Sequence, residues 1–123
     1  MNRIPDFFIV GAPKCGTTAM NDYLAQHPDV FVPARKEMHF FGCDLVFTIP
    51  RITRDEYLQA FANWRGQKRI AEASVWYLYS RTAVREIREF SPAARILVML
   101  RQPVDMMYSL HSQRIYNGTE DLE

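Results

Sequence analysis

Three short stretches of this chain gather residues suited to holding phosphate and moving a proton. The first is Gly11-Ala12-Pro13-Lys14-Cys15-Gly16-Thr17-Thr18. Glycines let the backbone turn sharply and approach a ligand closely. The N–H groups of such a turn, followed by a helix N-terminus, make an anion site. Lys14 adds a mobile positive charge, and Thr17 and Thr18 add hydroxyl donors. The second stretch is Arg101-Gln102-Pro103-Val104-Asp105-Met106-Met107-Tyr108-Ser109. If Asp105 lies near a helix start, Ser109 falls about one turn further on. Its hydroxyl then reaches a ligand that Arg101 also holds, and Arg with a hydroxyl suits a phosphate monoester. The third is Lys36-Glu37-Met38-His39-Phe40-Phe41. A carboxylate among aromatics is partly desolvated, which raises its pKa toward the range of a general base, while Lys36 works the other way. Glu37 also has a plain alternative role, pairing with Lys36 or an Arg. His39 is the second candidate base and equally a hydrogen-bonded packing residue, and His111 is the third. Phe40 and Phe41 read as core.

The elements that would position these stretches alternate between strand and helix. Phe7–Val10 is a short apolar run ended by Gly11, a buried parallel strand stopped by a tight turn. Thr17 and Thr18 are candidate caps of a helix that carries Met20, Tyr23 and Leu24 at helical spacing and ends near His27-Pro28. Val30–Val32 is a short extended piece. Thr53 with Glu56 is a capping-box pattern opening a helix with Tyr57, Leu58 and Phe61 on one face. Arg69–Ser74 reads as a second core strand. Ser80, a candidate cap, precedes a helix with Val84, Ile87 and Phe90. Arg95–Leu100 is the clearest strand, and Asp105–Tyr116 is a last helix stopped by Asn117-Gly118. Alternation of this kind predicts an α/β fold, a three-layer parallel sheet flanked by helices, as one domain over residues 1–123. Ligands of such sheets bind beyond the carboxyl ends of the strands. The motifs at Gly11, Ser74 and Arg101 all fall at such ends.

Bulk properties restrict the function less. The chain has 123 residues and 48% hydrophobic residues, enough for a buried core. Its net charge of +1 gives no sign of a nucleic-acid partner. Of the 15 basic residues only Lys14, Lys36 and Lys68 are Lys, so Arg, the better bidentate phosphate ligand, dominates. Cys15 and Cys43 lack the partners of a disulfide framework or a zinc site, which points to reduced thiols and a cytoplasmic location. No apolar run approaches the ~20 residues of a membrane span, and oligomeric state is not encoded in any recognisable pattern.

The phosphate loop nearly matches the triphosphate-binding pattern G-x-x-x-x-G-K-[ST], but Thr17 stands where that pattern has Lys, and the Lys comes three residues earlier. Pro-Lys-x-Gly-Thr-Thr resembles instead the 5'-phosphosulfate loop of sulfotransferases that use 3'-phosphoadenosine 5'-phosphosulfate (PAPS). Arg101-x-Pro-x-Asp-x-x-x-Ser109 is similar to that family's 3'-phosphate motif. Lys36-Glu-x-His-Phe-Phe is similar to a segment of its glycan-type and bacterial members, and Ala71-Glu72-Ala73-Ser74 to a segment beside their cleft. The resemblance implies a P-loop-type fold with no required metal. Pro13, Lys14, Cys15, Gly16, Thr17 and Thr18 would hold the 5' end, and Arg101 and Ser109 the 3'-phosphate. Glu37 or His39 would be the base, with Lys14 stabilising charge on the leaving group. The acceptor would be a hydroxyl or amine, with carbohydrate favoured. In the family the chain continues past the Arg/Ser helix, so this sequence is expected to be the N-terminal, cofactor-binding portion. The competing readings are a P-loop kinase or nucleotide-triphosphatase, and a truncated, nonenzymatic nucleotide-binding module that binds 3'-phosphoadenosine 5'-phosphate (PAP) without transfer.

Overall fold

A computed structural model describes residues 4–119; the terminal residues of the expected 1–123 domain, 1–3 and 120–123, lie outside the described residues. Four strands, β1 (Phe7–Gly11), β2 (Val30–Phe31), β3 (Arg69–Ala73) and β4 (Arg95–Val98), form one sheet in the order β2-β3-β1-β4. Every neighbouring pair is parallel, with Phe8 opposite Glu72 on one side and Ile96 on the other. Four helices, α1 (Thr17–Ala25), α2 (Arg54–Gln59), α3 (Ala83–Phe90) and α4 (Pro103–Tyr116), fill the crossovers and flank the sheet. The α/β architecture expected from the sequence is therefore the one observed.

β1 is continuous in its apolar character because it is paired on both edges, and Phe8, Ile9 and Val10 are fully buried. They join Met38, Phe41, Tyr57, Phe61, Ile70, Tyr77, Ala83 and Ile87 in the core. The predicted capping box at α2 is present: Thr53 Oγ1 accepts from Glu56 N at 3.2 Å and Glu56 Oε2 accepts from Thr53 N at 2.6 Å. The cap position of α3 is Thr82 rather than the expected Ser80, whose Oγ instead braces the entry by accepting from Thr82 N at 3.1 Å and Ala83 N at 2.9 Å.

Several local expectations are corrected. Neither Thr17 nor Thr18 caps α1; the cap position is Gly16 in a left-handed conformation, and Thr17 is the first helical residue. The inward face of α1 carries Thr17 and Asn21, one turn apart, while Tyr23 is 68% exposed. In α3, Ala83 and Ile87 turn inward and Val84 is 51% exposed. β4 ends at Val98 rather than Leu100, and among the described residues pairs only with β1, so Ile96, Val98 and Leu100 stay exposed. α4 starts two residues early, at Pro103, because Pro suits the first helical turn and Gln102 Oε1 accepts from Asp105 N at 2.9 Å.

Candidate functional site

The carboxyl ends of β1, β3 and β4 bring the three motifs together. β1 runs into the Gly11–Thr18 loop, where a Cβ on Gly11 would lie 2.7 Å from Val75 O and 2.9 Å from Leu78 Cβ. Only a residue without a side chain lets the loop pass that close. At the end of β4, Arg101 Nη1 donates to Lys14 O at 3.3 Å. The two candidate phosphate sites are thus in direct contact although 87 residues separate them.

Two clefts meet at the loop. One, of about 450 Å³, is lined by Lys14, Gly16, Thr17, Thr18, Arg101 and Ser109 among others. The other, of about 440 Å³, is lined by Pro13, Lys14, Thr17, Thr18, Lys36, Glu37, His39 and Trp76 among others. Lys14, Thr17 and Thr18 belong to both. A third hollow of about 320 Å³ continues past Glu37, His39 and Trp76 toward Phe47 and Arg51. Lys36 Nζ donates to Thr18 Oγ1 at 3.2 Å, tying the Glu37 segment to the loop. Cys15 turns inward, its thiol donating to Pro13 O at 3.4 Å, so its side chain does not line either cleft. His111, the third candidate base, does not line them either.

Lys14, Glu37 and His39 have φ of 60°, 55° and 47°, and are the non-glycine residues with positive φ among the described residues. Such values cost energy and concentrate at functional sites. Surrounding bonds impose them. Glu37 N donates to Ala73 O at 2.8 Å, and Glu37 Oε2 accepts from Val75 N at 3.1 Å. His39 N donates to Ser74 Oγ at 3.1 Å, and the imidazole stacks on Phe47 at 4.6 Å. His39 Nε2 lies 3.1 Å from Glu37 Oε2, yet the approach is not aligned as a hydrogen bond, and Nε2 is a buried polar atom without a partner. The two candidate bases are therefore side by side.

Two residues that sequence reasoning did not single out, or left undecided, support this segment. Arg51 donates to the carbonyls of His39, Phe40 and Phe41 at 3.1–3.3 Å, to Leu45 O at 2.8 Å, and to Gly42 O. It clasps the whole turn after the base. No local pattern marks it, because its partners are backbone atoms. Glu72, which the sequence left between site and scaffold, is fully buried, and burial pushes its carboxyl up to about 7. On the far side of the turn, burial would raise the Glu86 carboxyl, but hydrogen bonds from Thr82, Cys43 and Gly42 outweigh it and bring it to about 2. The hydroxyl of Ser80 and the N–H of Arg81 hold the Asp44 carboxyl well below the usual range.

Fold and site together define an α/β protein with a Gly/Lys/Thr loop at a strand end and a Glu–His pair beside it. The sequence matches the sulfotransferase domain over residues 4–122, and the chain belongs to that family. Carbohydrate sulfotransferase 15 of Rattus norvegicus is 33% identical over 86% of this chain and 26% of its own length. The bifunctional heparan sulfate N-deacetylase/N-sulfotransferase 3 of Homo sapiens is 28% identical over 92% of this chain and 13% of its own length. The crystal structure of a sulfotransferase from Alicyclobacillus acidocaldarius is 38% identical, with a TM-score of 0.91 over 98% of this chain and 53% of that one. The chain thus spans about half of the bacterial structure and 13–26% of these curated relatives. Family membership decides against the kinase and triphosphatase readings. Among the described residues no helix is long and apolar enough to cross a membrane.

Proposed function

We propose that this chain carries the donor site and the catalytic base of a sulfotransferase that moves a sulfuryl group from PAPS to a hydroxyl or amine, with a carbohydrate as acceptor. The observation that carries this reading is the shared lining of the two clefts: Lys14, Thr17 and Thr18 face Arg101 and Ser109 on one side and Glu37 and His39 on the other. The residues present fit the nucleotide. Gly11 permits a close backbone approach, Gly16 opens α1, and one cleft offers a Lys, an Arg and three hydroxyls to two phosphate groups. The carbohydrate acceptor is supported by the names of the relatives, carbohydrate sulfotransferase 15 and heparan sulfate N-sulfotransferase.

When bound, PAPS supplies an activated sulfuryl group on a phosphate leaving group. The chain's own residues supply the rest. Glu37 takes the proton of the acceptor hydroxyl or amine as the acceptor attacks, with His39 beside it as the second candidate for that role. Lys14 and the N–H groups at the start of α1 stabilise negative charge growing on the leaving phosphate. Arg101 and Ser109 hold the 3'-phosphate and so fix the direction of approach. None of these roles requires a metal ion. The free cysteines Cys15 and Cys43 support a reducing, cytoplasmic setting.

Calorimetric titration of the chain with PAP, with ATP and magnesium as comparison, tests the donor site. Selective binding of PAP is expected, weakened about 10- to 100-fold by Lys14→Ala and by Arg101→Ala, as fits charge-assisted hydrogen bonds worth about 1.5–3 kcal/mol. Selective ATP binding, or no binding of either nucleotide, would refute the proposal that these residues form a PAPS site. PAP binding without transfer to any carbohydrate acceptor would leave the chain as a nucleotide-binding module.

A further inference from the structure

We propose that Glu72 is the positioning residue for the segment carrying Glu37 and His39, acting through the hydroxyls of Ser74 and Tyr77. Glu72 lines neither cleft and is fully buried at the end of β3. Its Oε1 accepts from Ser74 Oγ, and its Oε2 accepts from Tyr57 Oη at 3.3 Å. The Tyr77 hydroxyl faces the same carboxyl. On their other sides these hydroxyls meet the candidate base segment. Ser74 Oγ accepts from His39 N at 3.1 Å, and Tyr77 Oη accepts from Phe40 N at 3.0 Å and Phe41 N at 3.4 Å. Three consecutive backbone N–H groups therefore end on two hydroxyls, and both hydroxyls face one carboxyl.

A hydroxyl has one proton and two lone pairs. Tyr77 Oη already receives two N–H groups, so its proton must go to an acceptor elsewhere, and it is buried where water cannot serve. The acceptors that face it are the Glu72 carboxylate and Ser74 Oγ, and the carboxylate is the stronger. An ionised carboxylate takes every hydroxyl proton offered to it and leaves the lone pairs of Ser74 and Tyr77 turned toward the segment. The groups that face Glu72 are Ser74 at its own strand end, Tyr57 of α2, Tyr77 of the following 3-10 turn, and Glu37 of the segment itself. All are hydroxyls or a second carboxyl. Burial and the like charge of Glu37 both favour the neutral form, so Glu72 titrates near neutrality and the hold tightens as it ionises.

That this segment faces an acceptor rests on the function proposed above; the anchoring itself does not. Amide hydrogen exchange on the purified chain tests it, with β1 and β3 amides as internal reference. Ser74→Ala should speed exchange at His39, and Tyr77→Phe at Phe40 and Phe41, each about 3- to 10-fold, as for one lost hydrogen bond. Glu72→Gln offers one acceptor and an NH₂ donor where the carboxylate offers two acceptors. It should speed all three amides together and leave the reference unchanged. In the wild type the protection of the three amides relative to the reference should rise through neutral pH, and in Glu72→Gln it should be flat. Unchanged protection in Glu72→Gln, alongside faster exchange in the other two variants, would overturn the proposal. So would faster exchange spread evenly over β1 and β3. PAP affinity should be unchanged within about twofold in Glu72→Gln, so failure of the donor site and failure of the anchoring give different results.

Discussion

Glu72→Gln should make the fold less sensitive to rising pH. Glu72 is fully buried, and burial moves its carboxyl from 4.5 to about 7. Between those values the folded chain keeps a proton that the unfolded chain has already released. The associated stability is complete below about pH 4.5 and is lost as pH rises through about 7. A rise of about 2.5 units, at about 1.36 kcal/mol each, amounts to about 3 kcal/mol. Gln carries no such proton. Urea denaturation of both proteins at several pH values measures the difference, in which oppositely shifted groups such as Asp44 and Glu86 cancel. The stability of the variant minus that of the wild type should grow by about 2–3 kcal/mol between about pH 5 and pH 8. Any constant offset reports the hydrogen bonds changed by the substitution; the slope reports the proton. A difference that stays flat, or shrinks with pH, would refute the view that burial of Glu72 outweighs the hydroxyl hydrogen bonds it accepts.

Other substitutions test other parts of the site. Arg51→Ala removes the guanidinium that gathers the carbonyls of residues 39–42 and 45, and should cost about 2–4 kcal/mol in a denaturant titration while making that turn the first site of limited proteolysis. Gly11→Ala sets a Cβ 2.7 Å from Val75 O at a φ of 149° and should cost more than about 2 kcal/mol, read as a lowered Tm. Thr53→Ala deletes the capping box of α2 and should cost about 1 kcal/mol by denaturant titration, without altering PAP affinity. Glu37→Gln should keep PAP affinity by calorimetry and lose sulfuryl transfer by at least about 100-fold, as for removal of a general base.

Much of this was legible in the sequence because it is local. A short apolar run, a Gly/Lys/Thr cluster and an Arg-x-Pro turn announce strand ends, and parallel topology then places strand ends on one rim of the sheet. The contact between Arg101 and the Lys14 carbonyl follows from β4 lying beside β1. What remained hidden depends on distant partners. Among the described residues the hydrogen bonds of Arg51 go to backbone oxygens, which leave no trace in residue type. The inward face of α1 is polar: Thr17 and Asn21 turn in, where hydrophobic spacing pointed to Met20, Tyr23 and Leu24. β4 looked the strongest strand by composition, yet Ile96 and Val98 are exposed and Leu97 is only half-buried, because only one of its edges is paired among the described residues.

The distribution of strain supports the same assignment of roles. Left-handed φ costs an ordinary residue about 1–2 kcal/mol, so Lys14, Glu37 and His39 together hold several kcal/mol that glycines would release. Gly16, between two of the loop's polar residues, shows that the chain uses glycine where only backbone shape matters. At 14, 37 and 39 it keeps a cation, a carboxylate and an imidazole instead. Each strained residue is held by its backbone on the scaffold: Arg101 grips the Lys14 carbonyl, Ala73 the Glu37 amide, Ser74 the His39 amide. Each side chain lines the cleft that also takes in Thr17, Thr18 and Trp76. A buried acid at Glu72 that lowers stability at neutral pH, and accepts from the Ser74 anchor, belongs to the same pattern: stability is given up where groups must be placed.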